Sequence, residues 1–213
     1  MRARTKKSHS SKKGAMGSFR VIGGEWRSRR LNFPSIDGLR PTTDRVKETV
    51  FNWLASDIRD AKVLDLFAGS GSLGIEALSR GAESLTAIER DRSAVQAIRE
   101  NLIILDKGGN LHTEVVQIDA IEWLKLNVNN LALTTYDLIL LDPPFRQGLL
   151  DTCLEFLDNS IFLRTGSLVY LELEQERDDL QLPSNWKLLK EKIAGQVSYR
   201  LYEVGNITGN ALG

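Results

Sequence analysis

Short apolar runs and longer amphipathic segments alternate along most of the chain. The apolar runs lie at 63–67, 85–88, 115–118, 138–141 and 167–173. Apolar residues at helical spacing occur before the first run, at 43–56, and again between the runs. The segments between the runs extend from the turn after the first run to residue 80, and over 92–105, 120–126 and 149–158. This alternation predicts an α/β fold with a mostly parallel sheet and helices on both faces. Continuous aliphatic runs suit strands that are buried on both sides.

The pattern changes near the C-terminus. Two strand-like segments, 186–193 and Val197–Val204, flank the turn residues 194–196. Two strands joined by so short a turn form a hairpin, so the sequence predicts that the last pair is antiparallel.

Composition narrows the class of protein. Hydrophobic residues make up 42% of the chain, which is enough for a proper core, and no apolar stretch reaches the roughly 20 residues of a membrane helix. Cys153 is the sole cysteine, which excludes an internal disulfide and indicates a reducing compartment. One cysteine and two histidines do not make a structural zinc site, so no metal is expected.

The zero net charge hides an asymmetry between the two ends of the chain. Residues 1–47 hold 13 lysines and arginines against three acids, so the rest of the chain is strongly acidic. A basic N-terminal segment on an acidic body favours a polyanionic partner that meets this segment. A solvated tail that only aids solubility is the alternative, and it is strongest for residues 1–18, which are basic and rich in serine.

A glycine-rich turn, Asp65-Leu66-Phe67-Ala68-Gly69-Ser70-Gly71, follows the first apolar run and opens a helix. Glycines let the backbone turn tightly and approach a ligand closely, and this context is the one that a nucleotide-binding turn requires. Glu89 ends the next run, where its carboxylate can accept hydrogen bonds from both ribose hydroxyls of an adenosine. An incidental glutamate beside a structural turn is the less favoured interpretation.

The turn alone does not separate a nicotinamide cofactor from S-adenosylmethionine. Asp65 favours the latter, because an acid there pairs well with a cationic methionine group and poorly with a pyrophosphate. Asp119, at the end of a further run, is placed to contact the adenine. The predicted cofactor-binding residues are Asp65, Phe67, Ala68, Gly69, Gly71, Glu89, Arg90, Asp119 and Ala120.

The segment Asp142-Pro143-Pro144-Phe145 follows the run 138–141 and carries the predicted chemistry. Two prolines stiffen the loop and remove two N–H donors. Asp142 and the Pro143 carbonyl can then both accept hydrogen bonds from one amino group, and Phe145 offers a face for a base that has left its stack. These four residues are the predicted catalytic loop.

The chain resembles the class I Rossmann-like methyltransferases that have an Asp/Asn-Pro-Pro-aromatic loop and act on exocyclic amines. It is most similar to the bacterial RsmD type, the 16S ribosomal RNA guanine-N2 methyltransferases. Three further segments carry this resemblance: Arg20-Val21-Ile22-Gly23-Gly24-Glu25-Trp26-Arg27, Leu39-Arg40-Pro41-Thr42-Thr43-Asp44-Arg45, and Ala194-Gly195-Gln196-Val197-Ser198-Tyr199-Arg200. The resemblance implies S-adenosylmethionine as the cofactor and a guanine of small-subunit ribosomal RNA, near the decoding region, as the target.

The resemblance also implies how the chain is organised. Residues 1–18 are expected to be a disordered extension. This extension could be native, a signal for import into an organelle, or a remnant of a cloning vector. Residues 19–213 are expected to form a single methyltransferase domain, with 19–47 contacting RNA. The predicted substrate-binding residues are Trp26, Arg27, Arg40, Thr43 and Arg45. A cytoplasmic monomer that acts on ribosomal RNA or the small ribosomal subunit, away from membranes, is the expectation, with organellar import left open.

Three alternatives remain at this stage. A DNA adenine-N6 methyltransferase would share the same catalytic loop but usually has a separate recognition region, for which the chain has little room. A nicotinamide-dependent oxidoreductase leaves the Asp-Pro-Pro-Phe loop unexplained. A non-catalytic RNA-binding assembly factor would not need the intact loop and turn.

Overall fold

The computed structural model describes residues 16–36, 42–130, 135–158, 160–177 and 179–206. Within these ranges lie a seven-stranded sheet, a separate two-stranded hairpin and five helices. The hairpin is formed by β1 (Met16–Arg20) and β2 (Arg30–Pro34). The sheet strands are β3 (Lys62–Asp65), β4 (Ser84–Glu89), β5 (His112–Gln117), β6 (Leu138–Leu141), β7 (Leu168–Glu174), β8 (Trp186–Ala194) and β9 (Val197–Val204). The helices are α1 (Asp44–Trp53), α2 (Ser72–Ser79), α3 (Arg92–Leu105), α4 (Ala120–Asn127) and α5 (Leu149–Leu157).

The sheet has the strand order β5-β4-β3-β6-β7-β9-β8. Strands β3 to β7 pair in parallel, whereas β9 lies antiparallel between β7 and β8. The mostly parallel sheet with a C-terminal antiparallel hairpin is therefore confirmed. Because β3 pairs with both β4 and β6, the strand order reverses direction at β3, and a crevice forms beyond the carboxyl ends of these strands.

Each strand contributes side chains to both faces of the sheet, and each face has its own core. Val63, Leu85 and Leu138 face the core that also contains α1, α2 and the hairpin. Their neighbours Leu64 and Ile139 face the opposite core, which α4 and α5 cover. Alternate residues of a strand point to opposite faces, so these central strands need apolar side chains at every position. The prediction of helices on both faces is thus confirmed.

Strand β5 is longer than its apolar run predicts. It begins at His112 rather than at residue 115, and its first three residues are exposed. An edge strand pairs on one side only and can carry polar side chains, so its hydrophobic pattern does not mark its start.

The hairpin β1–β2 is absent from the sequence prediction. Its first strand begins at Met16, within the segment 1–18 for which no regular structure was expected. Phe19, Leu31 and Phe33 alternate with exposed positions and are buried in the core beside α1. The period-2 pattern is therefore present, but each strand has only one or two buried apolar residues, which is too short a pattern to predict a strand.

None of the described helices is both long enough and apolar enough to span a membrane.

Candidate active site

The predicted turn and the predicted loop meet at the point where the strand order reverses. The glycine-rich turn follows β3, Glu89 ends β4, and Asp142 follows β6. Strands β4 and β6 flank β3 in the sheet, so these three carboxyl ends share one edge. Open α/β sheets bind their ligands at this edge.

Asp65 lies beneath the glycine-rich turn rather than on its surface. It is 2% exposed, and its carboxylate accepts hydrogen bonds from the backbone N–H groups of Phe67 and Gly74. Burial raises the pKa of Asp65 to about 7, with a further contribution from Glu89. A side chain at Gly74 would place its Cβ 2.8 Å from Leu85, so glycine is needed for α2 to pack this closely on the sheet.

Glu89 holds the turn against β4. One carboxylate oxygen accepts the Gly69 N–H at 2.9 Å and the other accepts the Asp91 N–H at 2.7 Å. Each oxygen of a carboxylate has a second lone pair, so the half-buried Glu89 can still accept hydrogen bonds from a ligand. Gly69 and Gly71 both have positive φ, at 55° and 78°, which explains the requirement for glycine at these turns.

Three of the other predicted cofactor residues follow the ends of β4 and β5: Arg90, Asp119 and Ala120. Asp119 is the N-cap of α4, where its Oδ1 accepts the N–H groups of Ile121 and Glu122 at 2.9 and 3.2 Å. Its Oδ2 accepts no hydrogen bond from the described residues and so remains available to a ligand. Arg90 is exposed, and Ala120 is buried at the start of α4.

The catalytic loop leaves the sheet directly after β6. Asp142 is half-buried, Pro143 is buried, and Phe145 is 40% exposed. The loop is then fastened to β7, because the Arg146 N–H donates a hydrogen bond to Glu174. Arg146 has a φ of 61°, a conformation that is uncommon for a residue with a side chain. An aromatic ring is thus partly exposed to solvent three residues beyond Asp142.

Three acids crowd this edge of the sheet. Burial and the negative charges of Glu172 and Asp65 raise the pKa of Asp142 well above its ordinary value. Burial also raises the pKa of Glu172. The interactions that oppose these increases are hydrogen bonds from neutral groups and not ion pairs, so the site suits a cationic ligand.

Thr42 reaches the catalytic loop from the N-terminal segment, which the sequence prediction missed. Its hydroxyl donates a hydrogen bond to the Asp142 carboxylate. The adjacent Thr43 caps α1 by accepting the Val46 N–H at 3.4 Å, and Arg45 is exposed on that helix. Arg40 lies outside the described residues. The repeated threonine in the sequence is the signal that could have indicated Thr42.

Trp26 requires a correction. It was predicted to stack on RNA, but it is only 5% exposed and lies in the core beside α1 and α2. Its backbone N–H donates to Ser79 Oγ at 2.9 Å, which fixes its position. A buried indole has no free face for a base, so the role of Trp26 is packing. The neighbouring Arg27 is exposed.

Other reactive side chains are less suited to chemistry. Burial and the charge of Asp119 raise the pKa of the Cys153 thiol to about 12, so this thiol stays protonated at neutral pH. No group of three or more histidine, cysteine or acidic side chains in the described ranges is arranged to hold a metal ion.

The fold and this site define a methyltransferase of the Rossmann-like class, and solved structures agree. The chain is similar to the putative methyltransferase yhhF from Escherichia coli, with 45% identity, a TM-score of 0.78 and coverage of 89% of this chain and 99% of that one. A putative methyltransferase named SMU.776, complexed with SAH, is 15% identical with a TM-score of 0.61 over 82% of this chain and 53% of that one. At this identity the second likeness shows the fold alone.

The chain belongs to the family described as Conserved hypothetical protein 95, whose model matches residues 19–203. It is 48% identical to ribosomal RNA small subunit methyltransferase D of Escherichia coli (strain K12) over 187 residues, which cover 88% of this chain and 90% of that protein. The protein of the same name in Haemophilus influenzae is 43% identical over 189 residues, covering 89% and 95%. The resemblance inferred from the sequence motifs is confirmed.

Proposed function

We propose that this protein transfers a methyl group from S-adenosylmethionine to the exocyclic N2 amine of a guanine in small-subunit ribosomal RNA. The observation that carries the proposal is the position of the catalytic loop. Asp142 lies close enough to Asp65, beneath the glycine-rich turn, for their charges to interact, and the Phe145 ring three residues later is 40% exposed. The names of the Escherichia coli and Haemophilus influenzae relatives describe methylation of small-subunit ribosomal RNA, which supports the substrate class.

The cofactor would lie across the carboxyl ends of β3 and β4 and the loop that precedes α4. Glu89 would accept hydrogen bonds from the ribose, Asp119 would contact the adenine through Oδ2, and Gly69 would let the methionine end approach the backbone. When bound, S-adenosylmethionine supplies an electrophilic methyl group on a positively charged sulfur. The neighbouring acids Asp65 and Asp142 favour a cation at this place.

Asp142 and the Pro143 carbonyl would hold the target amine. Its lone pair is normally delocalised into the base, which makes the nitrogen a weak nucleophile. Two acceptors that bind its hydrogens would turn the lone pair towards the methyl group and stabilise the positive charge that develops on nitrogen. Positioning of the amine supplies much of the remaining acceleration. The methylated nitrogen then loses a proton to water or to a nearby carboxylate.

Phe145 would hold the base outside its stack. A base within a helix cannot reach a methyl donor at the floor of a crevice, so an extruded or single-stranded nucleotide is required. Stacking of one base on an aromatic ring contributes about 1–3 kcal/mol, which offsets part of the cost of extrusion.

The N-terminal segment would contact the RNA. Arg27 and Arg30 are exposed and Arg29 is half-buried, and their side chains form no ion pair with the described residues. Arg45 is exposed on α1, one turn or less from the Thr42 that contacts Asp142. We assign phosphate contacts to these arginines. We also propose that the protein is a single methyltransferase domain that acts as a monomer in the cytoplasm.

The deciding experiment measures transfer of radiolabelled methyl groups to unmethylated small ribosomal subunits, naked ribosomal RNA and duplex DNA in parallel. The wild-type protein should produce N2-methylguanine in the subunit or its RNA. Asp142→Ala should reduce kcat by at least about 100-fold, the scale of losing one transition-state hydrogen-bond partner, and should reduce cofactor affinity far less. Glu155→Ala, which removes an exposed acid on α5, is the matched control and should retain activity.

Two results would contradict the proposal. Label in DNA as N6-methyladenine would keep the fold and the loop chemistry but replace the substrate. A fully active Asp142→Ala variant would remove the catalytic role of the loop.

A further inference from the structure

We propose that Glu172 selects guanine by accepting a hydrogen bond from its ring N1–H while Asp142 holds the adjacent amine. This inference rests on the proposed function and assigns a base-recognition role to a residue of β7 that the sequence motifs do not include.

The sheet register places Glu172 beside the catalytic loop. Leu141, the last residue of β6, pairs with Leu171 of β7, so Asp142 and Glu172 are the next residues on two neighbouring parallel strands. Glu172 lines a small pocket together with Pro143 and Phe145 of the catalytic loop. This pocket is too small to enclose a base, but it brings Glu172 to the wall of the same recess as Phe145, so a base held on Phe145 would lie next to this residue.

The hydrogen bonds of Glu172 leave one oxygen for a ligand. Its Oε1 accepts the hydroxyl of Tyr170 at 2.6 Å, and Tyr170 is itself completely buried. Its Oε2 accepts no hydrogen bond from the described residues, although the residue is only 7% exposed. Ser160 Oγ is the single fully sealed side-chain atom without a partner in the described ranges, so Oε2 is not completely closed off from solvent. A carboxylate oxygen with so little exposure is poorly solvated, and a donor from a ligand would improve its hydrogen bonding.

Guanine fits this arrangement and adenine does not. Guanine presents two neighbouring donors on its Watson–Crick edge, the N2 amine and the N1–H, and two neighbouring carboxylates can accept both. Adenine presents an amine beside an unprotonated N1, whose lone pair would face Oε2 of Glu172. A site built to receive a donor rejects an analogue that lacks it, because its buried acceptor is then left unpaired.

The protonation state of Glu172 is part of the same question. Burial raises its pKa, and the Tyr170 hydroxyl opposes this by donating to the carboxylate. A neutral Glu172 would instead donate a hydrogen bond to an unprotonated ring nitrogen. It would then favour a base without a hydrogen on N1, such as 2-aminopurine. The base preference of the enzyme therefore distinguishes the two states.

The test compares guanine with 2-aminopurine at the methylated position, which is first mapped with the wild-type protein. Small subunits are assembled on ribosomal RNA that carries either base there. Both bases have the 2-amino group, but N1 of 2-aminopurine has no hydrogen. The wild-type protein should favour guanine by at least about tenfold in kcat/KM. Equal methylation of both bases, or preference for 2-aminopurine, would overturn the inference without any variant.

Glu172→Gln then locates the preference. The glutamine amide can donate to N1 of 2-aminopurine, so the preference for guanine should fall by about tenfold or reverse. Glu174→Gln is the matched control, since Glu174 lines the same pocket but accepts the Arg146 N–H. It should leave the ratio between the two bases unchanged even if it lowers both rates. An unchanged ratio in Glu172→Gln would mean that another contact, such as one to O6, makes the selection.

The outcomes separate this inference from the proposed function. If the wild-type protein forms no N2-methylguanine in any subunit, the proposed function fails. If it forms N2-methylguanine but does not distinguish 2-aminopurine, only the role of Glu172 fails.

Discussion

We expect Asp65 to make the affinity for a cationic ligand depend on pH. Its pKa of about 7 means that it is largely neutral at pH 6 and largely ionised at pH 8. A cation bound nearby favours the ionised form and lowers this pKa, so binding releases a proton. Affinity for a cation should therefore rise with pH through 7 and level off above it.

The measurement is the affinity for S-adenosylmethionine divided by that for S-adenosylhomocysteine, from calorimetry at pH 6, 7 and 8. The two ligands differ in the positive charge on sulfur, so their ratio cancels the titration of groups that they share. The ratio should increase by about three- to tenfold in the wild-type protein, since one pKa unit corresponds to about 1.4 kcal/mol. Asp65→Asn should flatten this dependence, whereas a wild-type ratio that is constant with pH would show that Asp65 does not sense the sulfonium.

Single residues were predictable from sequence where their role follows from neighbours in the chain. Gly69, Gly71 and Asp142 belong to such local motifs, and the structure brings them to one edge of the sheet. Trp26 was misassigned because its burial depends on α1 and α2, far away in sequence. Glu172 could not be found either, because its position beside Asp142 depends on the pairing of β6 with β7.

At the level of elements, the N-terminal hairpin is fixed to the domain through a buried polar cluster. Glu76 of α2 is completely buried and accepts the N–H groups of Ile22 and Gly23, both at 2.8 Å. Lys47 of α1 is also completely buried, and its Nζ donates to the Arg20 carbonyl at 2.5 Å and lies 4.0 Å from the Glu76 carboxylate. A buried ion pair whose carboxylate accepts three hydrogen bonds from separate parts of the chain fixes one docking geometry.

Breaking this cluster from one side should be costly. Glu76→Ala leaves two backbone N–H groups and Arg80 Nε without their acceptor, and it leaves the buried Lys47 without its anionic partner. The free energy of unfolding should therefore fall by about 3–5 kcal/mol. Urea denaturation measures this change. Glu83→Ala removes an exposed acid and should change the unfolding free energy by less than about 0.5 kcal/mol. Similar values for the two variants would show that the hairpin is held by apolar packing alone.

Replacing both charges tests whether the cluster stabilises the fold or mainly specifies its geometry. Lys47→Met with Glu76→Gln keeps side chains of similar volume and removes the two completely buried charges together, while Arg80, the partly exposed second partner of Glu76, stays charged. Because removing a whole buried pair is often close to neutral, the double variant should be more stable than Glu76→Ala. If the double variant is as unstable as Glu76→Ala, the loss in free energy of unfolding comes from the backbone hydrogen bonds of Ile22 and Gly23 to Glu76.

For the molecule as a whole, the elements and their order were predictable because their signal is local. Hydrophobic periodicity and turn residues predicted the sheet strands and the helices, with α3 matched at both ends. The docking of the hairpin was not predictable, since it requires a glycine whose backbone lies directly against α2. That contact is visible only in the folded structure. Gly24 has a φ of 74°, and a Cβ there would lie 1.7 Å from the Ser79 carbonyl oxygen. A basic segment is thereby fixed against an acidic domain, with its end at the Asp142 carboxylate.

The fixed basic segment gives a prediction for the salt dependence of RNA binding. Replacing Arg27, Arg29 and Arg30 together by alanine should weaken binding to small-subunit RNA and reduce the slope of log K against log salt by up to about 2, because each lost phosphate contact to a single strand removes about 0.7. Cofactor affinity should not change, since these side chains make no ion pair with the described part of the domain. The matched control replaces three exposed cations elsewhere: Arg59, Lys107 and Lys125. Both variants lose the same charge. Equal slopes would mean that RNA binding depends only on the net charge of the protein. A smaller slope for the hairpin variant alone would locate the phosphate contacts on the hairpin.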